Sequence, residues 1–167
     1  MVAKSAYAIV VDAGSSGTRV RIFSVARAAP TYINGTTTSL PKLAELAPPD
    51  AAVADTLRTY RGISTLAGDP PAAARLVLEL LAAAAATLPN DAISTTPAYV
   101  MATGGVRLLP PGQSKALLDA IRGAAAQPGA CAFDLRGART LTGREEAVDG
   151  WLTASSLDAT PGTEAGD

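Results

Sequence analysis

Apolar residues near the amino terminus are spaced as they are in β-strands. An apolar run that leads into Asp12 predicts a buried strand over 7–12, and alternation of polar and apolar residues over 18–26 predicts a second one. The small residues at 13–17 predict a tight turn, so the two strands are expected to form a hairpin. A third strand or ribbon is expected over 30–46, where an Asn-Gly pair marks another turn.

Helical patterns occupy most of the chain after the hairpin. Prolines predict one helix from Pro48 to about Tyr60 and, after a loop over 63–71, another from Pro71 to about Thr87. The alanine run in the second of these is a strong helix-forming signal. The remaining predicted elements are a buried strand over 98–103, helices over 105–109 and 114–126, short strands over 131–135 and 138–141, and a last helix over 143–156.

The composition is that of one moderate globular domain. At 167 residues the chain is long enough to bury a core. The net charge is −1 and the 14 basic residues are scattered, so we expect no nucleic-acid partner. The absence of histidine excludes histidine general bases and most zinc sites. The single cysteine cannot form an internal disulfide, and we predict no signal peptide or transmembrane segment in this chain.

The turn between the first two strands has the composition of a phosphate-binding loop. Gly14 and Gly17 allow backbone N–H groups to approach an anion closely. The turn lacks the lysine of a P-loop, and a strand follows it instead of the helix of a dinucleotide fingerprint. A phosphate-clasping hairpin and an ordinary Gly/Ser turn both fit this pattern. Hydroxyl groups able to donate hydrogen bonds to phosphate come from Ser15, Ser16 and Thr18.

Two charged residues flank this turn. Asp12 stands at the end of the first strand, where its carboxylate is able to hold Mg²⁺ or Ca²⁺ directly or through water. Arg19 follows the turn, where it fits either a phosphate contact or a solvated strand face equally well. If the turn clasps phosphate, Asp12 is its candidate metal ligand and Arg19 a candidate phosphate contact.

A pair of glutamates marks the start of the last predicted helix. Thr142 and Glu145 have the spacing of a capping box, with the threonine as N-cap. Glu146 is rotated by about 100° around the helix from Glu145, which leaves it available for chemistry. The alternative is that both acids are solvated and merely favourable to the helix dipole.

Three segments, taken together, resemble the motifs of the apyrase family. They read DAGSSGTR at 12–19, ATGGVRLL at 102–109 and TGREEAVDGW at 142–151. Their order and spacing are similar to those of the nucleoside triphosphate diphosphohydrolases, also described as guanosine diphosphatase–apyrase nucleoside phosphatases. The resemblance spans roughly residues 7 to 155, which is nearly the whole chain.

The resemblance implies an activity and roles for named residues. It implies hydrolysis of terminal phosphates of nucleoside tri- and diphosphates by an activated water, with Glu146 as the catalytic base, Thr103 near the water, and Mg²⁺ or Ca²⁺ at Asp12. It also implies a secretory or extracellular setting. The chain departs from the family pattern at Ala147, at Asp149, whose charge is expected to act on Glu146, and at Gly105.

The order of elements resembles one ribonuclease-H-like lobe of the actin–hexokinase superfamily. This is an α/β fold with a mixed sheet, a β-hairpin phosphate loop and flanking helices. We expect an amino-terminal lobe over 1–157 and a flexible tail over 158–167, with the second lobe, which a complete site needs, absent. The chain is then a partial enzyme. Two alternatives stay open, namely an exopolyphosphatase or guanosine-pentaphosphate phosphatase, and an inactive remnant lobe that acts as a binding module.

Overall fold

A computed structural model describes residues 7–26, 31–33, 36–38 and 42–148. The strands in this part of the chain are β1 (Tyr7–Ala13), β2 (Thr18–Ala26), β3 (Thr31–Ile33), β4 (Thr36–Thr38), β5 (Lys42–Glu45), β6 (Arg58–Thr59), β7 (Pro97–Ala102) and β8 (Asp134–Thr140). The helices are α1 (Ala51–Thr56), α2 (Pro70–Ala85), α3 (Asn90–Ile93), α4 (Gly104–Arg107), α5 (Pro111–Ala125) and α6, described over 143–148, with a 3₁₀ turn at Ile63–Leu66.

A six-stranded mixed sheet organises the molecule. Its main path runs β5-β2-β1-β7-β8, and β6 pairs with β2 beside β5. The hairpin β1–β2 and the pairs that β2 makes with β5 and β6 are antiparallel, whereas β1, β7 and β8 run parallel. Parallel neighbours need crossovers, and helices supply them here. The mixed α/β sheet with flanking helices confirms the predicted fold class.

One face of the sheet is buried beneath two helices. On β1, alternate residues Ile9, Val11 and Ala13 are fully buried, as a half-buried strand requires. The helices α2 and α5 pack against each other and against strands of the sheet. Burying a side chain such as Leu81 or Ile121 contributes about 1.5–3 kcal/mol, so this layer is the main source of stability. None of the helices in the described residues is long and apolar enough to cross a membrane.

Local signals explain where the long helices begin. Asp69 caps α2 by accepting a hydrogen bond from the Ala72 N–H (3.1 Å), with Pro70 as the first helical residue. A proline there loses nothing, because the first N–H groups of a helix have no partner within it. The helix α5 likewise starts at Pro111. Both starts agree with the sequence prediction to within a few residues.

Two predicted segments were wrong. The helix expected from Pro48 to Tyr60 is confined to Ala51–Thr56, because Asp50 caps it by accepting from the Val53 N–H (2.9 Å) and residues after Leu57 pair with β2 as strand β6. The two short strands expected over 131–135 and 138–141 are the single strand β8. The helix predicted over 143–156 is observed over 143–148; its remainder, and the tail at 158–167, lie outside the described residues.

Candidate active site

The carboxyl ends of β1, β7 and β8 lie side by side at one edge of the sheet. Ala13, Ala102 and Thr140 are neighbours in the register of the three strands. Hydrogen bonds between the three segments continue one residue past these strand ends. The Thr103 N–H donates to the Ala13 carbonyl (3.2 Å), and the Leu141 N–H donates to the Ala102 carbonyl (2.7 Å). The three sequence motifs follow these strand ends, so the fold brings them together.

Two glycines pack directly against the hairpin turn. A Cβ atom on Gly62 would lie 2.4 Å from the carbonyl oxygen of Ser15, and one on Gly105 would lie 2.8 Å from the Cα atom of Ser15. The φ angle of Gly62 is −72°, a value open to any residue, so glycine is needed there for space. The turn is therefore wedged between the backbone before the 3₁₀ turn and the backbone of α4.

Thr18 anchors the turn from inside. Its side chain is buried, and its hydroxyl donates to the Arg61 carbonyl (3.0 Å), next to the β-bridge between Thr18 and Thr59. We predicted this hydroxyl as a phosphate donor, but in the structure its one proton is used within the fold. Ser15 and Ser16 are exposed at the tip. Their contact with phosphate stays a prediction.

Asp12 is held by arginines from the neighbouring strand. The Arg19 Nε donates to Asp12 Oδ2 (3.0 Å), and the Arg21 Nε lies 3.9 Å from the same oxygen. Arg21 also pairs with Glu45 at 3.0 Å. The contacts from described residues therefore go to Oδ2, which leaves Oδ1 as the oxygen for any further ligand of Asp12.

Thr103 begins the short helix α4 in the second motif. Its carbonyl accepts hydrogen bonds from the Val106 N–H (3.1 Å) and the Arg107 N–H (3.2 Å), while its side chain makes no capping bond. The side chain is half-buried at the edge of the sheet. The structure thus leaves the Thr103 hydroxyl available beside the hairpin turn, and its placement near a water stays a prediction.

Arg107 ties the last motif to the second one. Its Nη1 forms an ion pair with Glu146 Oε2 and donates to the Leu141 carbonyl (3.1 Å). Glu146 also lies in the first turn of α6, where its N–H donates to the Thr142 carbonyl (3.1 Å). Both ends of this contact are partly exposed. The carboxylate of Glu146 is therefore oriented by a guanidinium at the edge where the three strands end.

Glu145 forms the predicted capping box. The Glu145 N–H donates to the Thr142 hydroxyl (3.2 Å), and the Thr142 N–H donates back to the Glu145 carboxylate (2.8 Å). The Thr142 N–H, followed by the Arg139 guanidinium at 2.6 Å, lowers the pKa of Glu145 to about 2. The carboxylate of Glu145 is therefore used within the capping box, whereas the carboxylate of its neighbour Glu146 pairs with Arg107.

An open pocket of about 300 Å³ lies beside the hairpin turn. One wall is formed by residues that the sequence analysis missed, because they were assigned to a helix. The β-branched Thr59 and aromatic Tyr60, followed by Gly62, were a short strand-and-turn signal that could have identified this wall. The pocket is lined by Asp12, Gly14, Ser16, Gly17, Thr18, Arg19, Arg58, Thr59 and Tyr60.

The sequence of this chain matches a known protein family over most of its length. Residues 2–157 match the sequence profile of the GDA1/CD39 (nucleoside phosphatase) family. The chain belongs to the GDA1/CD39 family. The resemblance to apyrases drawn from the three motifs is therefore confirmed.

Relatives in this family are much longer than the chain. Ectonucleoside triphosphate diphosphohydrolase 2 of Mus musculus is 40% identical over 100 residues, which cover 58% of this chain and 19% of the relative. Ectonucleoside triphosphate diphosphohydrolase 6 of Mus musculus is 30% identical over 167 residues, which cover 95% of this chain and 32% of the relative. The chain thus spans about a fifth to a third of the length of these two relatives.

A solved structure shares the fold of this GDA1/CD39 chain. A nucleoside triphosphate hydrolase from Neospora caninum superposes with a TM-score of 0.51 at 17% sequence identity. The match covers 92% of this chain and 31% of the other. At this identity the likeness concerns the fold, and it agrees with a single lobe-sized α/β unit.

The departures from the apyrase motifs can now be placed within the GDA1/CD39 fold. Gly105 packs against Ser15 and the Ser64 side chain, so a larger residue would push the turn away. Ala147 is exposed on α6. Asp149 lies outside the described residues, so its charge effect on Glu146 stays a prediction.

The described residues could hold a metal ion only if water and substrate supplied most of its ligands. They contain no group of three or more His, Cys, Asp or Glu side chains that could hold a metal ion. Asp12 offers one carboxylate beside the hairpin turn. Mg²⁺ commonly binds through one or two carboxylates, several waters and substrate phosphates, and the single Asp12 carboxylate agrees with that kind of site.

Proposed function

We propose that this chain supplies one lobe of an enzyme that hydrolyses the terminal phosphate of nucleoside tri- and diphosphates. The observation that carries the proposal is the meeting of the hairpin turn, Thr103 and the Arg107–Glu146 pair at one edge of the sheet. Membership of the GDA1/CD39 family and the names of the relatives support the same reaction.

Each group has a task in this reaction. The backbone N–H groups of the turn and the hydroxyls of Ser15 and Ser16 hold the terminal phosphate. A water beside Thr103 attacks the terminal phosphorus, the new P–O bond forms, and the bond to the bridging oxygen breaks so that the shortened nucleotide leaves. Glu146 accepts the proton of the water through Oε1, since Arg107 occupies Oε2. Positioning and electrostatics account for most of the rate in such transfers.

Asp12 is the residue that would hold Mg²⁺ or Ca²⁺, through Oδ1 and water. Such an ion neutralises charge on the phosphate oxygens when it is bound. The two arginines on Oδ2 keep the carboxylate in place at the end of β1. Asp12 is thus a metal-positioning residue in the proposed site.

A second lobe completes the site in this proposal. The chain matches about a fifth to a third of the length of two relatives, and the pocket beside the turn is open to solvent. Donors from a second lobe would close around the phosphates. The 167-residue chain alone is therefore expected to bind phosphate weakly and to turn over little.

Phosphate release tests the proposal directly. ATP, ADP, GDP and UDP are offered with Mg²⁺, with Ca²⁺ and with EDTA, both to the 167-residue chain and to a protein that joins it to a second lobe. The two-lobed protein should reach the ordinary enzyme range of about 1–10³ s⁻¹ only with metal, and ¹⁸O from water should enter the released phosphate. The chain alone should be at least about 100-fold slower. A two-lobed protein that releases phosphate from none of the four nucleotides would contradict the proposal.

A further inference from the structure

Two arginines stand directly opposite each other at the mouth of the phosphate turn. The strand β6 pairs with β2 so that Arg58 faces Arg19 across the antiparallel bridge. Cβ atoms of directly opposed residues lie about 4.5–5.5 Å apart on one sheet face. Like charges in such positions destabilise a sheet, so the fold gains no stability from this pair.

Among the residues that the structure describes, each of these arginines pairs with one aspartate. Arg19 pairs with Asp12, and Arg58 donates to Asp55 Oδ1 through Nη2 (2.7 Å) and Nε (3.2 Å). The Arg58–Asp55 side chains are 49% and 67% exposed. An exposed pair of this kind is worth about 0–1 kcal/mol. Little free energy is therefore lost when the Arg58 guanidinium leaves Asp55 to contact a phosphate oxygen.

An aromatic ring keeps Arg58 at the pocket. The Arg58 guanidinium carbon lies 5.2 Å from the centre of the Tyr60 ring, within the range of a cation–π contact. Tyr60 itself is 82% exposed, so the ring adds almost nothing to the core. Its position is explained by the guanidinium that it supports.

The pocket is larger than one phosphate group needs. Its volume is about 300 Å³ and it is open to solvent, so a ligand that extends beyond the turn has room in it. The turn residues Gly14 and Gly17 line this pocket together with Arg19, Arg58 and Tyr60. A ligand whose end phosphate lies in the turn would place its next phosphate beside the two guanidinium groups, which suit phosphate oxygens.

We propose that Arg58, together with Arg19, forms a second phosphate subsite, which binds the phosphate next to the one in the hairpin turn. The inference rests on the proposed function, because it takes the turn as the site of the end phosphate. Its ligand class is a chain of at least two phosphates, either nucleoside-linked or inorganic. Arg58 and Tyr60 thereby become determinants of phosphate-chain length.

Binding without turnover tests this inference. The 167-residue chain is titrated at 0.15 M salt, without metal, with orthophosphate, pyrophosphate and ADP, and calorimetry gives the affinities. At this ionic strength exposed charges beyond about 8 Å are largely screened. The wild type should bind pyrophosphate about tenfold more tightly than orthophosphate. Arg58→Ala should remove most of that difference and change orthophosphate binding by less than about twofold, since a charge-assisted contact is worth about 1.5 kcal/mol.

Matched variants separate the subsite from a general charge effect. Arg136→Ala removes another exposed arginine paired with one aspartate, at the far end of β8, and should change neither affinity. Tyr60→Phe should behave as wild type, whereas Tyr60→Ala should lose part of the pyrophosphate preference. Equal affinities for pyrophosphate and ADP would show that the chain contacts only the phosphates. Tighter binding of ADP would show that the nucleoside also contributes to the affinity.

Different results overturn different claims. If Arg58→Ala weakens orthophosphate and pyrophosphate equally, or weakens neither, the subsite is wrong and the proposed function stands. The double variant Ser15→Ala/Ser16→Ala should weaken orthophosphate. If the double variant binds orthophosphate as tightly as the wild type, and Arg58→Ala still removes the preference for pyrophosphate, the role of the turn in the proposed function is wrong. The phosphate site at Arg58 then stands without it. A wild type that binds none of the three ligands overturns the subsite, whereas the proposed function is decided by phosphate release from the two-lobed protein.

Discussion

The hairpin turn and the start of α6 lie at the same edge of the sheet but are fixed by different kinds of contact. The turn is wedged by backbone atoms at Gly62 and Gly105 and anchored by the buried Thr18. The start of α6 is held by partly exposed ion pairs, from Arg107 to Glu146 and from Arg139 to Glu145. Steric packing does not respond to pH or salt, whereas exposed ion pairs do. The difference indicates a sterically fixed turn and a carboxylate whose position depends on exposed ion pairs.

The largest expected effect separates the two glutamates of α6. In a two-lobed protein, Glu146→Gln should lower kcat by about 10²–10⁴-fold, because a general base contributes that much, with nucleotide binding retained. Glu145→Gln should keep most of the activity, since glutamine also completes a capping box. Steady-state kinetics and nucleotide titrations of both variants are the measurement. Equal losses in the two variants would contradict the division of roles.

The rigid side of the comparison is tested at Gly62. Gly62→Ala places a Cβ atom 2.4 Å from the Ser15 carbonyl oxygen, so the free energy of unfolding should fall by about 2–3 kcal/mol, as overpacking does. Urea unfolding measures it. The matched control is Gly123→Ala, in the last turn of α5 with nothing within 4 Å of the added atom, which should not destabilise and should stabilise by at most about 1 kcal/mol. A neutral Gly62→Ala would show that the turn is not wedged.

Removal of the Arg107 guanidinium tests the ion pair that holds Glu146 at the start of α6. Arg107→Met should lower kcat of the two-lobed protein by about tenfold, or about 1.4 kcal/mol in the barrier, because Glu146 loses its orientation but stays in place. KM should change little, and Arg107→Lys should restore part of kcat. Arg107 is a positioning residue here, so the pH profile of kcat should shift as well. A variant with raised KM and unchanged kcat would indicate a substrate contact instead.

The smallest expected effect concerns the capping box. The pKa of Glu145 is about 2 in the fold, below the value of about 4.3 in an unfolded chain. A lowered pKa stabilises the fold above the unfolded value, and this contribution is lost as the pH falls from about 4.3 to 2. The stability difference between wild type and Glu145→Gln should therefore shrink across that window. Carbon-13 NMR of the carboxyl group gives the pKa directly, and Arg139→Ala should raise it.

Elements with a strong local signal were predictable from the sequence. The hairpin strands and β7 alternate or run apolar over several residues, and α2 begins with a capping aspartate and prolines. The capping box at Thr142 was likewise readable from spacing alone. Periodicity and caps are local properties, so one sequence is sufficient for them.

The strand β6 could not be predicted in this way. It is two residues long, and it exists because Thr18 and Arg19, about forty positions earlier, offer it an open strand edge. Arg58 and Tyr60 therefore appeared as helix residues without a role. The ion pair between Arg107 and Glu146 also joins residues 39 positions apart. The residues Thr59, Tyr60 and Gly62 carry a short strand-and-turn signal, but neither segment carries a pattern that shows which distant residues it meets.

The topology of the sheet also has a consequence for biosynthesis. The inner edge of β1 pairs with β7, and Ile9 meets Ala98, roughly ninety positions later. At about 5–20 residues per second, a ribosome needs about 4–18 s to make the chain between them. During that interval the hairpin carries an unpaired apolar edge, which is open to strands of other chains. The risk of aggregation for this protein is therefore set by the speed of translation as much as by the stability of the finished fold.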